Sequence, residues 1–164
     1  SWATTGKPAG RERNYITSLF IQPEKMEQHN LKLEAKFQEI RDTEVRFEEY
    51  NTTDAEYIFV AYGLSARICQ KAMDLARDKG LKVGLLRPIT LYPYPYDRLL
   101  ELADQVKMML CVELNSGQMV EDVQLAVKGK IPVTFFGKMG GMMPTPEEIL
   151  HHLENLIQPY YANG

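Results

Sequence analysis

From residue 55 onward the sequence alternates short, apolar, β-favouring runs with segments of helical spacing, and this alternation limits the fold more than any other feature. The strand-like runs are 55–62 (AEYIFVAY), 82–86, 108–113 and 131–136. Helical spacing covers 65–79, closed by Gly80, then 96–105, 118–127 and a last helix to about Ile157. Thr145 and Pro146 fit the N-cap and first helical positions of that last helix. Strands separated by helices must pair in parallel, which needs a helical layer on each face. The expected class is therefore α/β: a three-layer α/β/α sandwich with a mainly parallel sheet. Between residues 87 and 95 (RPITLYPYP) three prolines bar both a helix interior and a central strand, so an ordered, extended loop is expected.

Residues 1–23 lack any clear period and read as a linker arm. Residues 24–50 are densely charged, with Met26, Leu33, Phe37, Ile40 and Phe47 on one helical stripe. A long amphipathic connector helix is expected there, packed on its own domain or docked on a neighbour. The α/β domain proper is expected over 51–160.

Composition narrows the function classes. The 164 residues are 45% hydrophobic, with net charge -3, and no basic excess marks a nucleic-acid groove or an anionic membrane patch. No apolar stretch approaches the roughly 20 residues that span a bilayer, and no secretory signal opens the chain, so a cytoplasmic location is expected. Cys69 and Cys111 are far apart, outside any C-x-x-C, and read as buried thiols. His29, His151 and His152 have no ligand spacing and read as solvated. Phosphate-loop, dinucleotide and nucleophile-elbow motifs are absent.

In parallel sheets ligands and partners meet the carboxyl edge of the strands. Gly63, the 87–95 loop, residues 113–117 and residues 137–141 should all emerge there. Arg87, Tyr92, Tyr94, Glu113, Asn115 and Gln118 are the candidates for an interface or a substrate approach, since charged, amide and rigid aromatic groups make directional contacts. Local roles compete: Arg87 pairing with Glu113 across neighbouring strand ends, Asn115 closing a turn, and the tyrosines, with Tyr96, packing under their own loop. Met139, Met142 and Met143 fit either an adaptable contact surface or burial against the last helix. No residue set qualifies as catalytic, cofactor-binding or metal-ligating.

Three segments carry a family likeness: 60–67 (VAYGLSAR), 84–93 (GLLRPITLYP) and 112–119 (VELNSGQM). With them the chain resembles the carboxyl-terminal, transketolase-C-like domain of thiamine-diphosphate enzymes. Residues 10–14 (GRERN), the charged helix and 137–146 (GKMGGMMPTP) extend the likeness to the α-type subunit of 2-oxoacid:ferredoxin oxidoreductases, particularly those acting on 3-methyl-2-oxobutanoate. The resemblance implies coenzyme-A-dependent oxidative decarboxylation, with electrons passed through iron–sulfur clusters to ferredoxin. It also implies that thiamine diphosphate and magnesium sit between a pyrimidine-binding domain preceding Ser1 and a β-type partner subunit. Two cysteines cannot hold a four-iron cluster, so the electron carriers are expected elsewhere. The expected role of this chain, read as a fragment of a larger subunit, is docking on that domain and partner, with no cofactor of its own. Rival readings are the same domain of a pyruvate-dehydrogenase β-type subunit or a transketolase, a flavodoxin-like nucleotide-binding module, and a stand-alone interaction protein.

Overall fold

The computed structural model describes residues 6, 9–12, 15 and 18–161. Arg13 and Asn14 of the 10–14 motif, and part of the expected arm, lie outside the described residues. The chain divides into two compact units, Ser1–Glu39 and Ile40–Gly164.

In chain order the elements are α1 (Pro23–Thr43), β1 (Phe47–Tyr50), β2 (Tyr57–Val60), α2 (Gly63–Asp78), β3 (Val83–Pro88), α3 (Tyr96–Ala103), β4 (Met108–Glu113), α4 (Met119–Val127), β5 (Val133–Gly137) and α5 (Pro146–Tyr161). The strands form one sheet in the order β1-β3-β2-β4-β5. β2 pairs in parallel with β3 and β4, and β4 with β5, whereas β1 pairs antiparallel with β3. The three-layer, mainly parallel architecture is the one expected.

Period-two alternation builds a core on each face. On one side Phe59, Leu85 and Leu110 pack with Cys69 and Met73 of α2 and Leu153 of α5. On the other Ile58, Leu86, Met109 and Cys111 pack with Leu99 of α3 and Val123 of α4. Both cysteines are free and buried. The predicted caps are in place. Gly80, at φ 82, donates to the Arg77 carbonyl while Leu81 donates to that of Ala76, ending α2. Thr145 and Glu148 form a reciprocal capping box, with the Glu148 amide 3.1 Å from Thr145 Oγ1 and the Thr145 amide 2.9 Å from Glu148 Oε2.

One element differs from expectation. The connector helix expected over 24–50 ends at Thr43, and Phe47–Tyr50 is an edge strand. Phe47 fits a helical stripe seven residues after Ile40 equally well, but tertiary pairing decides its state. The Ile89 and Thr90 amides donate to the Arg46 carbonyl, and the Arg46 amide donates to Thr90 Oγ1, tying this stretch to the end of β3. Phe47 and Tyr50 then point into opposite cores. No side chain of α1 is buried. Among the described residues no helix is long and apolar enough to cross a membrane.

Candidate functional site at the carboxyl edge of the sheet

The four parallel strands β2, β3, β4 and β5 end at one edge, so the loops following Val60, Pro88, Glu113 and Gly137 gather there as expected. The six candidate residues nevertheless fall into separate groups. Register explains the division: Val83, Leu85 and hence Arg87 face α2 and α5, while Met109, Cys111 and hence Glu113 face α3 and α4.

Arg87 and Glu113 do not pair. β2 lies between their strands, and their side chains emerge on opposite faces. Arg87 instead bonds Glu48 of β1 at 2.8 Å, and the Tyr50 hydroxyl donates to the same carboxylate oxygen. The Tyr50 hydroxyl and the Arg87 guanidinium both hold the Glu48 carboxyl below its usual pKa range. Arg87 Nε is buried without a partner.

Glu113, a candidate for an interface or a substrate approach, is completely buried and turns its carboxylate inward. Its carboxylate accepts the backbone amides of Gln118 (3.3 Å), Met119 (2.9 Å) and Val120 (3.0 Å), the first turn of α4. A helix start leaves amides without intrahelical acceptors and carries partial positive charge, which a carboxylate satisfies on both counts. Asn115 Nδ2 adds a bond at 3.0 Å, and the Cys111 thiol lies 3.6 Å away. Burial, with the Glu113 charge beside it, pushes the Cys111 thiol far up, and Cys69 reaches about the same state through burial alone. Neither is a nucleophile near neutral pH. Asn115 Oδ1 also accepts the Gly117 amide at 2.7 Å, an Asx turn, so its turn-forming role is present. Gln118 contributes its backbone; its side chain is exposed. Gly137 packs against this turn so closely that a Cβ there would collide with the Phe135 ring and the Asn115 carbonyl oxygen.

The tyrosine loop is buried at Tyr94 and exposed at Tyr92 and Tyr96. Tyr94 is only 5% exposed and meets the Tyr96 ring edge-on at 5.3 Å, inside the α3/α4 core. Its hydroxyl is buried without a hydrogen-bond partner, and desolvation drives its pKa far up, with Cys111, Asp122 and Glu113 adding to the effect. Tyr92 is exposed, its hydroxyl 3.5 Å from Arg41 Nη1. Tyr96 is exposed and donates to Asp122 at 2.6 Å, a bond that raises its pKa to about 12.

Two features escaped the sequence reading. Arg98 of α3 bonds Glu49 of β1 at 2.5 Å and 3.0 Å, and Glu101 at 2.7 Å, clamping the antiparallel strand to the α3 layer. His152 is half-buried against Phe136, ring centroids 4.9 Å apart, and desolvation lowers its pKa from 6.5. The expectation of a solvated surface His152 is thereby corrected. Exposed apolar groups surround the edge: Leu64 after β2, Leu91 after β3, Leu114 after β4, and Met139, Met142 and Met143 after β5. The three methionines are therefore surface groups, not core of α5.

Among the described residues no three histidine, cysteine or carboxylate side chains cluster as metal ligands. Glu113 and Asn115, the polar groups best placed at the edge, are already bonded to α4 and its approach, so they do not fit a magnesium diphosphate. The two cysteines lie in cores on opposite faces of the sheet and do not fit a shared iron–sulfur cluster.

Comparison with known proteins agrees with this architecture. Residues 55–149 match the family described as pyruvate:ferredoxin oxidoreductase core domain II. The ketoisovalerate oxidoreductase subunit VorB of Methanothermobacter thermautotrophicus is 42% identical over 158 residues, 95% of this chain and 44% of that protein. The 2-oxoglutarate synthase subunit KorA of Methanocaldococcus jannaschii is 34% identical over 129 residues, 79% of this chain and 34% of that protein. The chain thus spans less than half the length of these curated relatives. A solved structure of the 2-oxoglutarate:ferredoxin oxidoreductase from Magnetococcus marinus shares the fold, with a TM-score of 0.69 over 85% of this chain and 24% of that one, at 22% identity. By the family match, which covers most of the α/β unit and all four of its parallel strands, β2 to β5, the chain belongs to the pyruvate:ferredoxin oxidoreductase core domain II family.

Proposed function

We propose that the chain is a docking domain within a subunit of a 2-oxoacid:ferredoxin oxidoreductase acting on 3-methyl-2-oxobutanoate. The observation that carries this reading is the 42% identity to VorB over 95% of the chain, above the 34% identity to a 2-oxoglutarate synthase subunit. The whole enzyme would couple decarboxylation of the 2-oxoacid to acyl transfer onto coenzyme A and reduction of ferredoxin in the cytoplasm. Thiamine diphosphate supplies the carbanion chemistry in such enzymes when bound. That cofactor, its magnesium and the iron–sulfur clusters belong, on this reading, to the preceding pyrimidine-binding domain, a β-type partner subunit and the electron-carrying parts. The engaged polar groups and exposed apolar residues at the carboxyl edge support a surface that meets protein.

The test is the complete enzyme, assayed for coenzyme-A-dependent ferredoxin reduction with 3-methyl-2-oxobutanoate, 2-oxoglutarate and pyruvate in turn. The highest kcat/KM is expected with 3-methyl-2-oxobutanoate. A preference for either other acid overturns the substrate assignment, and turnover of none overturns the activity.

A further inference from the structure

Within Ile40–Gly164 a groove of about 860 Å³ runs between the start of β1, the tyrosine loop and the start of α3. Its apolar lining comes from Phe47, Leu91, Tyr92 and Pro95. Four carboxylates, Asp42, Asp97, Glu101 and Asp122, line it against two guanidinium groups, Arg41 and Arg98. The Arg98 charge is already shared by Glu101 and by Glu49 behind it. The groove is therefore aromatic within and acidic by excess of carboxylate over guanidinium.

We propose that this groove seats an extended segment of a separate partner subunit that carries a lysine or arginine beside an apolar side chain. This rests on the docking reading above and names the chemistry of the partner. Charge complementarity selects a cation for the acidic rim, and the faces of exposed tyrosines favour the same charge. The apolar lining selects an adjoining hydrophobic side chain. The relatives are themselves named as subunits, so a separate chain is the fitting source.

Asp97 is the residue to change, because it is exposed and, among the described residues, forms no side-chain bond. The full-length subunit carrying Asp97→Lys is titrated with its partner subunits at low and high salt, beside wild type and Asp74→Lys, an exposed site on α2 outside the groove. Asp97→Lys is expected to weaken association about tenfold at low salt and less at high salt, where charges are screened; Asp74→Lys is expected to leave it within twofold. Asp97→Lys associating like wild type overturns the groove while leaving the docking reading in place. Equal weakening by both variants also overturns it, since net charge then explains the effect. Failure of the wild-type subunit to associate overturns both.

Discussion

Glu113 is the residue whose replacement tests the account of the carboxyl edge most sharply. Its carboxylate is fully buried and receives the Met119 and Val120 amides, both inside the protein, besides Gln118 and Asn115. Glu113→Ala leaves two buried amides without an acceptor, at about 1–3 kcal/mol each, and opens a small void. We expect a loss of about 4 kcal/mol. Glu113→Gln keeps the shape but turns an NH2 group towards backbone N–H donors. At least one amide then loses its acceptor, and the remaining bonds lose their charge assistance. Removing a buried charge recovers part of that loss, so about 2 kcal/mol remains. Urea unfolding at pH 7, followed by circular dichroism, gives both values. An unchanged denaturant slope would confirm that the native state, not the unfolded ensemble, was altered. Glu113→Gln within about 0.5 kcal/mol of wild type would mean that the cap works as well neutral as charged, contrary to the role assigned to the carboxylate here.

Three further outcomes are expected. Gly137→Ala forces a Cβ against the Phe135 ring and the Asn115 carbonyl oxygen, and should cost about 2–3 kcal/mol in the same unfolding assay. Arg98→Met removes the clamp on β1; Arg98 holds the Glu49 pKa below 4.5, so its stabilisation is fully present above that value and lost as pH falls below it. The variant should thus be about 1 kcal/mol less stable than wild type at pH 7, with the difference closing in acid. His152, desolvated against Phe136, should titrate with a midpoint below 6.5 when its ring protons are followed by NMR; a midpoint at or above 6.5 contradicts that packing.

What could be read from residue order, and what could not, divides along a physical line. β4 is six apolar or edge residues in a row, α5 opens on a Thr-Pro-Glu-Glu capping box, and α2 closes on Gly80. Each of these features is local, and each stands where it was expected. β1 is four residues with two adjacent glutamates, too short to show its period, and its state is decided by hydrogen bonds to residues 89 and 90. The expected Arg87–Glu113 pair failed because strand order is not a local property: β2 inserts between two strands that follow one another in the chain's β-α-β sequence. The destination of Glu113 was half visible. Parity with Met109 and Cys111 points it inward, and a helix begins six residues later, but only register brings the carboxylate to those amides. The Arg98 clamp depended on β1 and was lost with it.

Calorimetric titration with thiamine diphosphate and magnesium tests the division of labour most directly. The chain is titrated alone, and then together with the remainder of its subunit and the partner subunits. The account predicts no binding heat from the chain alone and saturable binding by the assembly. Tight binding by the chain alone would place the cofactor site within these residues and contradict the assignment of a docking role.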